Sequence, residues 1–253
     1  MLFSSLLNFF LIYQRVPLIK NEPKIKFIIN KPAGYYGFYT LGVTHYIKEN
    51  YDLSDYKFSG ASAGAWNSLF SVYTKNNTYL VDLLVNSVDS LKNPSIYEIQ
   101  TSLKKTILQH TASTDYDFSK LYVGVTSVRG VKNVSCDIYT NFETLEDAID
   151  CCFASSHIPL ITGGIITRYK KIISLDGGFS DYPYIKLREK AFVIEPWMWQ
   201  EPHIKFIPKM LSRILIGMFP KKEVSACELY HKGWLDAKLN KDILNKEFKL
   251  GKF

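Results

Sequence analysis

The chain is 253 residues long, enough to bury a substantial core as one large α/β domain or two small ones, and one is expected. With 47% hydrophobic and 22% charged residues it has globular proportions, which exclude a mostly disordered chain and a polytopic membrane protein. A formal net charge of +7 favours an anionic surface as partner. The lysines are scattered and no zinc-ligand spacing or RNA-binding aromatic motif accompanies them, so nucleic acid is not expected.

In chain order, Leu2 to Tyr13 is apolar but shorter than the roughly 20 residues that a membrane-spanning helix needs. It lacks the positive start and cleavage site of a secretory signal. Residues 1–22 are therefore read as an apolar segment that either packs on the domain or attaches to an interface. The β-branched run Lys24–Asn30 predicts a buried strand, and Tyr35–Lys48 has apolar residues at helical spacing. A second strand, Tyr56–Ser59, leads to Ser62, and a helix runs from Ala65 to Tyr73. Further helices are expected over Tyr79–Leu91 and Ile96–Gln109. Tyr122–Val128 and Val134–Tyr139 read as two strands joined by a turn. A helix follows from Thr144 to about Phe153, then short strands at Lys171–Asp176 and Ala191–Ile194. Strands alternating with helices predict an α/β fold with a largely parallel sheet and helices on both faces. Cys136, Cys151, Cys152 and Cys227 have no framework spacing and read as reduced thiols of an intracellular protein.

The most informative stretch is Gly60-Ala61-Ser62-Ala63-Gly64. A serine between small residues where a strand meets a helix is the pattern of a nucleophile elbow, in which the hydroxyl stands exposed and neighbouring amides can serve an oxyanion. The same five residues also suit an ordinary small-residue turn. Three other pieces fall where an α/β sheet gathers loops beyond the carboxyl ends of its strands. Gly34-Tyr35-Tyr36-Gly37 can present amide donors to a developing negative charge, or is a plain strand-to-helix turn. Ser155-Ser156-His157-Ile158-Pro159 is a small-residue loop or a helix exit. Asp176-Gly177-Gly178 places a carboxylate within reach of a serine hydroxyl, or is a simple turn.

Taken together, in this order and spacing from Ile25 to Val193, these residues resemble the patatin-like phospholipase family, and within it the animal-type branch that includes adipose triglyceride lipase. The resemblance implies a three-layer α/β/α sandwich with a mainly parallel central sheet, occupying residues 23–200. Residues 201–253 are read as a basic, helical extension, packed on the domain or facing a membrane. The resemblance also implies a Ser-Asp dyad without histidine: Ser62 as nucleophile, Asp176 as general base, and Gly34, Tyr35, Tyr36 and Gly37 as the oxyanion loop. Gly60, Gly64, Gly177 and Gly178 complete the motifs. Plant-type members carry three consecutive glycines and a basic residue in that loop, where this chain has Pro32-Ala33-Gly34, so the amides that line the hole are not fixed by the motif. His157 is expected to line the pocket or lie exposed rather than to act as a base.

The activity so implied is hydrolysis of lipid carboxylic esters through an acyl-serine intermediate. Acyl transfer to an alcohol, and lipid binding with little turnover, are the alternatives. No cofactor or metal is needed, and no acidic loop spaced for calcium occurs. The expected partners are a lipid substrate and a membrane or lipid-droplet surface, met peripherally. Leu2–Tyr13 and Lys205–Lys222, which interleaves basic and bulky apolar residues, are the segments suited to that contact.

Overall fold

The structure is a computed structural model that describes residues 26–130, 133–180, 191–196, 198–199 and 224–251. Leu2–Tyr13 and Lys205–Lys222 lie outside the described residues.

The apolar run of the first strand forms β1 (Lys26–Asn30), which passes through a short 3-10 turn at Gly34–Tyr36 into α1 (Gly37–Asn50). β2 (Tyr56–Gly60) leads into α2 (Ala63–Ser71), and α3 (Asn77–Asp89) and α4 (Ile96–His110) follow. Polar caps mark where these helices begin: Asn76 accepts from the Tyr79 amide, and Ser95 and Glu98 form a reciprocal capping box. The long β3 (Leu121–Gly130) hairpins into β4 (Asn133–Tyr139), and α5 (Leu145–Ser155) starts on a Thr144 cap. β5 (Thr167–Tyr169), β6 (Ile172–Leu175), β7 (Ala191–Ile194), α6 (Ala226–Leu239) and α7 (Lys241–Glu247) complete the described elements.

The fold is mixed α/β, with a central sheet flanked by helices. β7, β1, β2 and β3 run parallel and form its middle, while β4, β5 and β6 join in antiparallel pairings. The register on β3 decides where the site lies. Gly60 of β2 sits opposite Val123, and Leu175 of β6 sits opposite Thr126. Because β4 takes up the other edge of β3 over the same residues, β2 and β6 share one edge and meet end to end. They run in opposite directions, so their carboxyl ends face each other across Gly124 and Val125. Asp176 lies just beyond the carboxyl end of β6, an antiparallel strand that arrives head-on.

Side chains alternate across the strands. Ile28, Phe58 and Val123 belong to the large core shared with the described helices, whereas Phe27, Ile29 and Ala61 cluster on the opposite face. α1 is buried along most of its length because α6 lies against it at backbone contact: a Cβ on Gly42 would stand 2.0 Å from the Tyr230 carbonyl oxygen, and one on Gly233 1.9 Å from that of Tyr39. Around this crossing, Tyr39 Oη donates to Asp236 at 2.8 Å and His45 Nδ1 shares a 2.7 Å hydrogen bond with Tyr230 Oη. The β5–β6 hairpin was not expected from the sequence. Its turn residues, Lys170 and Lys171, both take left-handed backbone angles (φ 47° and 70°), a geometry usually signalled by Asn-Gly or Asp-Gly.

Candidate active site

Ser62 is the residue between β2 and α2, with φ 57° and ψ −133°, a conformation that costs a non-glycine residue about 1–3 kcal/mol and recurs at functional sites. The flanking glycines make the bend possible by close approach. A Cβ at Gly60 would lie 2.0 Å from the Gly64 carbonyl oxygen, and one at Gly64 2.0 Å from that of Asn30. Gly177 is pressed in the same way, since its Cβ would fall 2.2 Å from the Gly124 oxygen and 2.7 Å from Ala61 Cβ. The two motifs are thereby packed on one another over β3.

At this junction the Ser62 hydroxyl donates a hydrogen bond to the Asp176 carboxylate, which also accepts the Gly178 amide at 2.7 Å. Asp176 is 4% exposed. Burial pushes its pKa up to about 6, against the two hydrogen bonds, which favour the ionised form. The carboxylate is therefore a stronger base than a solvated aspartate and is still ionised near neutral pH.

The loop expected to hold an oxyanion divides into two halves. The Tyr36 amide donates to the Ala33 carbonyl at 3.1 Å, and the Gly37 amide donates to the Gly34 and Tyr35 carbonyls, so Tyr36 and Gly37 spend their N–H groups on the turn itself. Tyr36 and Gly37 therefore belong to the loop without offering it a free amide. The amides of Gly34, at φ 54°, and of Tyr35 donate to no acceptor among the described residues. The Ala63 amide, first in α2, is likewise without an acceptor there, as the opening turn of a helix leaves it. Gly34, Tyr35 and Ala63 all border the cavity onto which Ser62 opens. The Ser62 amide is not available, because it donates to both the carbonyl and the hydroxyl of Ser155, at 3.1 and 2.9 Å.

The Ser155-Ser156-His157 loop thus acts as scaffold. Ser155 Oγ in turn donates to the Gly124 carbonyl at 2.7 Å, and the His157 carbonyl accepts the Asp176 amide at 2.7 Å. The His157 ring bonds to the Ile165 backbone, and its Nε2 has no hydrogen-bond partner among the described residues. Sequence reasoning missed three further fixtures. Thr126 Oγ1 donates to the Asp176 carbonyl at 2.8 Å. Asn67 Nδ2 reaches the Gly37 carbonyl at 3.0 Å and Thr40 Oγ1 at 2.7 Å, tying α2 to the start of α1. Asn30 is held by Ser68 and Thr44 beneath Gly64. Nothing local in the sequence marks these residues, since each is a polar side chain made useful only by tertiary contact.

From Ser62 a cavity of about 940 Å³, counted out to its open mouth, runs between α1, α2, α3 and α4. Its walls are chiefly apolar, including Phe38, Trp66, Leu84, Ile99 and Ile107. Among the described residues, no group of His, Cys, Asp and Glu is placed to hold a metal ion, and no helix is long and apolar enough to cross a membrane.

No family model matches the chain. Mouse (Mus musculus) 1-acylglycerol-3-phosphate O-acyltransferase Pnpla3 is 22% identical over 234 residues, covering 81% of this chain and 56% of that protein. The two are distant relatives. Among solved structures, VipD from Legionella pneumophila aligns at a TM-score of 0.36 and 12% identity over 68% of this chain and 50% of its own. The ExoU-SpcU complex from the type III secretion system of Pseudomonas aeruginosa aligns at 0.39 and 11%, over 88% and 52%. The chain spans about half the length of these proteins.

Proposed function

We propose that the chain is a lipid acyl hydrolase of the patatin-like type, which cleaves carboxylic esters of lipids through a Ser62–Asp176 dyad. The observation that carries this reading is the hydrogen bond from a strained serine to a buried, weakly acidic aspartate at the end of an apolar cavity. Asp176 would take the proton of Ser62 as the hydroxyl attacks the ester carbonyl, and the Gly34, Tyr35 and Ala63 amides would hold the oxyanion. The acyl-serine forms as Asp176 passes that proton to the departing alcohol or lysolipid, and the restored carboxylate then deprotonates water, which releases the acid and returns the proton to Ser62. The acyl chain would lie in the cavity. Distant similarity to a mouse protein supports the animal-type branch of the family.

A second reading, acyl transfer by the same dyad to an alcohol acceptor, is favoured by the printed activity of Pnpla3, an O-acyltransferase. The substrate would be met at a membrane or lipid-droplet surface inside the cell, with the protein attached peripherally. This is supported by Leu160, Ile165 and Ile166, which are 81%, 69% and 58% exposed on the loop whose Ile158, Ile161 and Thr162 border the cavity.

Turnover of fluorescent phospholipid and triacylglycerol tests the proposal. Ser62→Ala and Asp176→Asn are each expected to lower kcat by at least about a thousandfold, while His157→Asn keeps turnover within about tenfold. Activity that survives in Ser62→Ala sinks the dyad. Product analysis with added monoacylglycerol or lysophosphatidic acid separates hydrolysis from transfer.

A further inference from the structure

The wall that α4 turns to the cavity contains one residue that does not match the rest. Ile96, Ile99, Leu103 and Ile107 form a continuous apolar stripe at helical spacing, and Gln100 stands in the middle of it, 5% exposed and bordering the cavity. Apart from the Tyr35 hydroxyl, the other polar side chains there are engaged. Ser62 donates to Asp176, Asn67 to Gly37 and Thr40, Ser156 bonds Trp66 and Cys152, and Thr162 Oγ1 accepts the Ile158 amide. Tyr116 shares a hydrogen bond with Thr111. The Gln100 amide, with two donor hydrogens and a carbonyl oxygen, has no hydrogen-bond partner among the described residues. Buried polar groups are as a rule satisfied, so a carboxamide left open toward a cavity is matched to something that enters the cavity.

We propose that Gln100 is a polar subsite within the acyl cavity that binds a hydrogen-bonding oxygen on the lipid chain, so that the site prefers hydroxylated or otherwise oxygenated acyl chains to unsubstituted chains of equal length. The inference rests on the reading of the cavity as an acyl site. A headgroup would not explain the position, because Gln100 is flanked on its own helix by apolar cavity residues on both sides. A plain hydrocarbon chain would leave the amide both unsolvated and unpaired, and a site built to hydrogen-bond its ligand rejects the analogue that lacks the group.

Displacement of a fluorescent fatty acid from the full chain by stearic acid, and by hydroxystearic acids with the hydroxyl walked along the chain, tests this independently of turnover. At least one hydroxy isomer is expected to bind about tenfold tighter than stearic acid, and Gln100→Leu and Gln100→Met are both expected to abolish that preference. Either variant removes an amide that makes no hydrogen bond to the described residues, so both should fold, and Gln100→Met decides the matter if Gln100→Leu does not. Equal binding of all the acids, or a preference that survives in the variants, overturns the proposal and leaves Gln100 as an amide satisfied by water. Ester hydrolysis by the unaltered protein is measured alongside. Loss of Ser62-dependent hydrolysis with the hydroxy preference intact would defeat the hydrolase reading alone, and the converse would defeat the subsite alone.

Discussion

At the scale of single residues, Asp176 sits where stability and chemistry pull in opposite directions. Burial raises the pKa of its carboxyl from 3.8 to about 6, so the native state holds the proton more tightly than the unfolded chain does. The stabilisation that follows is fully present below about pH 4 and is lost as pH rises through about 6. Ionised Asp176 therefore costs the fold on the order of 3 kcal/mol at neutral pH. Asp176→Asn should be more stable than the unaltered protein at about pH 8 and gain little or nothing at about pH 4, as denaturant melts at the two pH values would register. The same group must be ionised to accept a proton from Ser62. The pH profile of kcat/KM on a soluble ester should therefore fall on the acid side with an apparent pKa near 6. A profile flat down to about pH 4 would remove Asp176 from the role of base.

At the scale of elements, α1 begins at the loop whose amides face the cavity, and its position is set by the touch of Gly42 and Gly233 with the α6 and α1 backbones. Gly233→Ala would drive a methyl group into the Tyr39 carbonyl. It is expected to lower stability by about 2–4 kcal/mol and to lower turnover of a soluble ester as α1 shifts. A denaturant midpoint equal to that of the unaltered protein would mean that the helices separate without cost. Much of this level was legible in the sequence. β1, β3 and β7 carry β-branched or apolar runs, α1 and α4 carry 3.6-residue spacing, and Ser62 and Asp176 stand within small-residue motifs. The direction of β6 was not legible, because a short apolar strand has the same pattern either way up. Nor were the clamps Asn67, Thr126 and Asn30, whose partners lie on other elements. The division of the oxyanion loop escaped too, since whether an amide is free depends on the turn type, and Tyr35-Tyr36 does not specify one.

At the scale of the molecule, the proposed contact with an anionic lipid layer draws on a net charge of +7 and on Leu160, Ile165 and Ile166, exposed on a loop that borders the cavity. Replacing Leu160 and Ile165 by serine should weaken binding to anionic vesicles by about tenfold or more. Hydrolysis of a monomeric soluble ester should change little. Equal losses on both substrates would mean that the loop supports the site rather than the interface. The end-to-end meeting of β2 and β6 on a single edge of β3 also bears on when the protein can act. Ser62 and its elbow emerge early in synthesis, but the acid that would activate the serine arrives on a later strand that has nowhere to dock until β3 is in place. A nascent or truncated chain ending before β6 would carry Ser62 without Asp176, so the proposed hydrolysis would be withheld until β6 has docked on β3.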